Sequence, residues 1–242
     1  MELISGWWER ILVGFIRAIP PEVGLTELAI ILAFAAALSI PRATWRYFGL
    51  FTTVVHELGH AFAAVMTGRR LTGIRLNLDH SGTTTSLGQR GWRTVWSGFW
   101  GYPVPAVTGA ALVWAGFNGW GPAAMSLGAL ILVAALLFIR NGTGLLIILG
   151  AAAVAMAIVL AVPAEFTGHV VIALGAALLV GSVRDLVKVA TVHIRRRREL
   201  HSSDANILYR ATGVPSAVWL FLFTVVIAGS WLLAWLSATP TL

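Results

Sequence analysis

The 242 residues include no cysteine, which excludes disulfides, thiolate metal sites and a cysteine nucleophile. Any metal must be held by His, Asp or Glu. Charge is scarce too: only 11% of the residues are charged, ten acidic against seventeen basic, and Lys188 is the one lysine. No hydrophilic stretch is long enough for a separate soluble domain, and no internal repeat or low-complexity linker stands out. What fills the chain is apolar, with 58% hydrophobic residues and a mean hydropathy of +0.83. That usage lies outside ordinary soluble domains and predicts an all-α polytopic membrane protein. The net charge of +7 could suggest a nucleic-acid partner. The arginines, however, sit in short segments between apolar runs, where they set membrane orientation, so no nucleic acid is expected.

Residues 1–20, MELISGWWERILVGFIRAIP, place Leu3, Ile4, Trp7, Trp8, Ile11, Leu12, Phe15, Ile16 and Ile19 at three-and-four spacing, opposite Glu2, Glu9, Arg10 and Arg17. This pattern predicts an amphipathic helix in the membrane interface, or one docked on the protein's own surface, rather than a cleaved signal peptide. Residues 21–242 then read as a single transmembrane domain. Its candidate spans are Val23 to Ile40, Tyr47 to Thr67, Val95 to Trp114, Pro122 to Ile139, Leu145 to Pro163, His169 to Val192 and Ser216 to Leu236, judged against the roughly 20 residues a bilayer requires. Glu27 shortens the first, so six or seven transmembrane helices are expected. Pro103 and Pro105 predict a kink or break near Gly101.

Arginines in the loops 68–93 and 193–213, together with Arg140, fall on one side of a seven-span arrangement, which the positive-inside rule makes cytoplasmic. Arg42 and Arg46 are the exception, landing on the outer side. Trp45, Trp92, Trp96, Trp120 and Trp235 stand near span ends, as an interfacial belt would place them. In loop 68–93 the alternating run Ile74 to Leu78, the turn-like DHSG and the Thr-rich run to Leu87 predict a small cytoplasmic β-hairpin, with Asp79 and His80 as turn residues.

The stretch TTVVHELGHAFAAVMTG, Thr52 to Gly68, sets two histidines and a glutamate inside a span. Polar groups at that depth cost kilocalories and are functional by default. His56 and His60 are four apart, hence one turn apart on one helix face, able to share a tetrahedral zinc ion. In the H-E-x-x-H arrangement Glu57 is the general base rather than a ligand.

HELGH within an apolar span, the basic hairpin-like loop after it and the Gly/Pro-containing WGYPVPAVTG together resemble the site-2-protease family of intramembrane zinc metallopeptidases. The likeness covers Tyr47 to Gly109 and extends more weakly through IRNGTGLL to SSDANIL, as in compact bacterial members without a PDZ-like domain. The resemblance implies one zinc ion per chain, a membrane-protein substrate, and a bacterial inner-membrane location with the site opening toward the cytoplasm. Relatives complete the site with a distant aspartate, commonly in an N-x-x-P…D-G pattern that this chain lacks. Asp79, Asp185, Glu199 and Asp204 stand on the expected side. Asp204 resembles the aspartate of compact members and is the expected third ligand, with Asp185 as the alternative and helix capping as the bland role for Asp204. Asn141 could cap its span or hydrogen-bond a substrate. A non-catalytic scaffold or regulator of the same fold is the competing reading, and a transporter lacks the repeated, broken halves it would need.

Overall fold

A computed structural model describes residue 9, residue 12, residues 14–195 and residues 203–239. Residues 1–8, 10, 11 and 13 of the expected N-terminal amphipathic helix and most of the Arg195 to Arg198 run lie outside those residues. Among the described residues nine α-helices and one two-stranded sheet follow in order: α1 Leu25–Ser39, α2 Arg42–Met66, β1 Arg70–Leu76, β2 Gly82–Leu87, α3 Trp92–Phe99, α4 Pro103–Phe117, α5 Gly121–Ala135, α6 Gly142–Ala161, α7 Ala164–Arg195, α8 Asp204–Thr212 and α9 Ser216–Ala238. The protein is an all-α polytopic membrane protein carrying a small hairpin.

Five helical segments, Arg42–Met66, Gly121–Phe138, Gly142–Ala161, Glu165–Ile194 and Ser216–Ala238, are long and apolar enough to cross a membrane. Two of the seven expected spans are shorter. α1 and α4 are each 15 residues, which at about 1.5 Å per residue falls short of a hydrocarbon core of about 30 Å. The expected Val95 to Trp114 span is divided into α3 and α4, because Pro103 and Pro105 lack the N–H groups that would continue the ladder and instead suit a first helical turn.

α4 and α7 are pressed together by small residues. A Cβ on Gly109 would lie 2.7 Å from the Gly175 carbonyl oxygen, and one on Gly116 would lie 2.8 Å from that of Gly168. Gly109 and Gly116 are seven residues apart on α4, as Gly168 and Gly175 are on α7, about two turns, so both contacts line one stripe where the backbones approach. The antiparallel pairing defines two ends of the bundle. At one, Val23, Phe117, Ala234 and Ala238 share a buried cluster. At the other, Ala205, Leu208 and Phe223 pack with Phe99 and Tyr102.

The hairpin pairs Arg70 with Leu87 through Leu76 with Gly82, antiparallel. Its turn is tied by Asp79, whose carboxylate accepts from the Ser81 N–H at 3.0 Å and the Ser81 hydroxyl at 2.6 Å. Those two bonds hold the Asp79 pKa below the usual carboxylate value. His80 adopts φ 64°, and its Nε2 lies 3.2 Å from the Arg46 carbonyl oxygen. The beginning of α2 therefore stands beside the hairpin turn. Arg184 joins the same corner, donating to the Ser39 and Ile40 carbonyls at 2.7 and 2.6 Å and lying 4.5 Å over the Trp45 ring. Arg46, expected apart from the hairpin, thus has its backbone beside the hairpin turn. The same corner removes Trp45 from the interfacial belt. Trp45 is 8% exposed, whereas Trp92 and Trp235 are 66% and 63% exposed.

Candidate metal centre

α2 carries His56, Glu57 and His60. α8 begins at Asp204 directly after Ser203, whose backbone occupies the N-cap position without a side-chain cap bond. The close packing of α8 against Val95, Phe99 and Tyr102 carries Asp204 to the two histidines. His56 Nε2, His60 Nε2 and Asp204 Oδ2 lie at 3.2 Å from one another in all three pairs. Of the expected ligands and their alternative, the structure thus brings together His56, His60 and Asp204, while Asp185 on α7 stands outside the group.

Three electron-rich atoms at that spacing repel unless something positive lies among them. A tetrahedral zinc site with bonds of about 2.0–2.1 Å has ligand–ligand edges of about 3.3–3.4 Å, so the triangle is nearly the face of such a tetrahedron. Asp204 Oδ2 is buried with no hydrogen-bond donor aligned on it, an expensive condition for a carboxylate oxygen without a cation. His60 Nδ1 lies 2.7 Å from the Ser97 carbonyl oxygen. A carbonyl only accepts, so this contact places the imidazole proton on Nδ1 and turns the Nε2 lone pair toward the triangle. The Ser97 hydroxyl returns a bond to the His60 carbonyl at 2.9 Å. The donor set, its spacing and its oriented tautomer fit a zinc ion.

Gly101 closes the site from the break between α3 and α4. A Cβ there would lie 2.6 Å from His56 Nε2 and closer still to His60 Nε2, so the backbone passes where no side chain fits. Gly59 is tight in the same way, a Cβ meeting the Trp100 carbonyl oxygen at 2.6 Å. Tyr102 sets its ring edge-on to His56 with centroids 4.9 Å apart and stacks on Phe223.

Glu57 is 4% exposed and lies under β2. The Thr84 hydroxyl is 2.7 Å from Glu57 Oε2. Residues 28–234 match a family described as Peptidase M50B-like. The chain belongs to that family. No curated protein and no solved structure matches it. For this M50B-like chain a peptidase role follows from membership, in line with the site-2-protease likeness of its HELGH segment.

Sequence reasoning missed Ser97, Gly101 and Thr84. Only the proline-broken segment beside Gly101 gave any signal of them. Asn141 occupies the N-cap position of α6 without a side-chain cap bond. Its amide instead donates to the Leu76 carbonyl at 2.8 Å and accepts from the Leu76 N–H at 3.2 Å, acting as a substitute strand neighbour for β1. Arg140 N–H adds a bond to the Ile74 carbonyl at 2.9 Å.

Proposed function

We propose that this protein is an intramembrane zinc endopeptidase acting on membrane-protein substrates, with His56, His60 and Asp204 as ligands of one zinc ion and Glu57 as general base. The observation that carries this reading is the 3.2 Å triangle of two imidazole nitrogens and a buried carboxylate oxygen. Zinc bound there supplies a Lewis acid for a peptide carbonyl and acidifies a water. Glu57 would serve as the general base, accepting a proton as the water oxygen bonds to the peptide carbonyl carbon and passing it to the amine nitrogen that leaves when the C–N bond breaks. His60, oriented by Ser97, keeps its proton on Nδ1 throughout.

A helical peptide bond is shielded, so the substrate must be extended at the point of cleavage. β1 is already occupied on its outer side, where Ile74 bridges Ile139, whereas the sheet order ends at β2. Strand addition along β2 would supply the extended geometry. The concentration of arginine at the hairpin end supports a cytoplasmic placement of the site.

Zinc per chain tests the ligand set without a known substrate. Purified wild type should hold about one zinc ion, and His56→Ala and Asp204→Ala should each lose at least about tenfold in zinc affinity, the scale of a disrupted coordination shell. Retention by Asp204→Ala with loss in Asp185→Ala would reassign the third ligand. A metal-replete wild type without zinc would favour the scaffold reading.

A further inference from the structure

The alternation of β2 turns Gly82, Thr84 and Ser86 to one face and Thr83, Thr85 and Leu87 to the other, with the second set exposed. The first set meets α2. A Cβ on Gly82 would lie 2.6 Å from Glu57 Cγ and 2.7 Å from Glu57 Cδ, so the strand lies directly on the glutamate side chain. One residue pair further, Thr84 Oγ1 is 2.7 Å from Glu57 Oε2 and 3.0 Å from the Glu57 backbone carbonyl. A hydroxyl has one proton to give, and the shorter contact to an ionised acceptor is the stronger bond.

We propose that Thr84 is a positioning residue for the reaction: its hydroxyl fixes the rotation of the Glu57 carboxylate by engaging Oε2, while the Gly82 backbone lies against Oε1. This rests on the zinc-peptidase reading above. The physical need is specific. The terminal torsion of a glutamate is broad and roughly two-fold, so helix α2 places the carboxylate without selecting which oxygen faces the reacting water. The Thr84 hydroxyl is the hydrogen-bond donor this carboxylate has among the described residues. Gly82 permits the strand to come close enough for that bond to form. The base is thereby held by the hairpin, an element separate from the one that carries it, so the Thr84 hydroxyl acts on proton transfer through Glu57.

Acetohydroxamic acid is a suitable probe because it chelates zinc as an anion and gives its hydroxyl proton to a neighbouring base, so its affinity reads both metal and base without a peptide substrate. The full-length zinc-loaded protein, Glu57→Gln, Thr84→Val, Thr84→Ser and the double variant Glu57→Gln/Thr84→Val are compared by titration, with zinc content and thermal midpoint measured on each. Thr84→Val should retain zinc and weaken hydroxamate binding about tenfold, Thr84→Ser should restore affinity to within about twofold, and the double variant should bind no worse than Glu57→Gln alone, as residues acting in one unit do. Full affinity in Thr84→Val while Glu57→Gln is impaired would overturn the positioning role and leave the peptidase reading standing. A Thr84→Ser variant as weak as Thr84→Val would equally overturn it, since bulk rather than the hydroxyl would then matter. If wild type holds no zinc, or Glu57→Gln binds the probe as wild type does, the underlying reading fails and this one with it.

Discussion

At the scale of single residues, the site is made by backbone closeness as much as by its ligands. Gly101 has no functional group, yet its Cα stands where the Nε2 atoms of His56 and His60 converge. Gly101→Ala forces either the histidine rings or the α3–α4 connection to move, and overpacked sites relax only partially. The expected result is at least a tenfold loss of zinc affinity, about the scale of other perturbations around a metal site, measured by competition with a chromophoric chelator. Stoichiometric zinc at wild-type affinity would mean that the connection yields and the glycine is not required. The same contrast explains what the residues alone reveal. His56, Glu57 and His60 are legible because one helical turn joins them. Asp204 lies far along the chain and is reached only through family likeness and a short roster of acids. Ser97 acts through its carbonyl and Gly101 through an absent side chain, so neither leaves a chemical mark in the sequence.

Among the elements, hydropathy marks the apolar segments well, and the proline pair marks the division of the third. What it cannot show is how the hairpin is held. Asn141 reads as a helix cap, the ordinary role of Asn before an apolar run, because its alternative partner is the backbone of Leu76, brought near by folding. Leu76 is 1% exposed and its C=O also accepts from the Thr143 hydroxyl at 2.7 Å, so losing the Asn141 side chain leaves chiefly the Leu76 N–H without its partner. Asn141→Ala should destabilise the hairpin locally by about 1–3 kcal/mol. Amide exchange at Leu76 and its β2 neighbours should then accelerate about tenfold or more. Zinc content should stay unchanged, since His56, His60 and Asp204 come from α2 and α8. Unchanged exchange would show that the Arg140 N–H bond and the cross-strand pairs suffice to hold β1.

For the whole molecule, the two ends of the bundle differ in charge and in content. The hairpin turn, the beginning of α2 and Arg184 converge at one corner, and the cluster around Phe223 and Ala205 beside the metal centre packs the start of α9. α9 then runs to Ala234 and Ala238, which share a cluster with Val23 and Phe117. The hairpin turn and the end of α9 therefore lie at opposite ends, with Arg46 beside the hairpin turn. What the sequence could not show is that Arg184 gathers the end of α1 and the start of α2 into the corner that holds the hairpin turn. With the basic end facing the cytoplasm, single cysteines at Thr83 and Thr239 should be labelled from opposite sides by a membrane-impermeant maleimide. The absence of native cysteine makes the background clean. Thr83→Cys should react in inside-out vesicles and Thr239→Cys in right-side-out ones. The reverse pattern would keep the fold but invert the membrane orientation, placing the metal centre toward the outer face. Labelling of both from one side would contradict the separation of the two ends, and with it the path of α9 through the bundle.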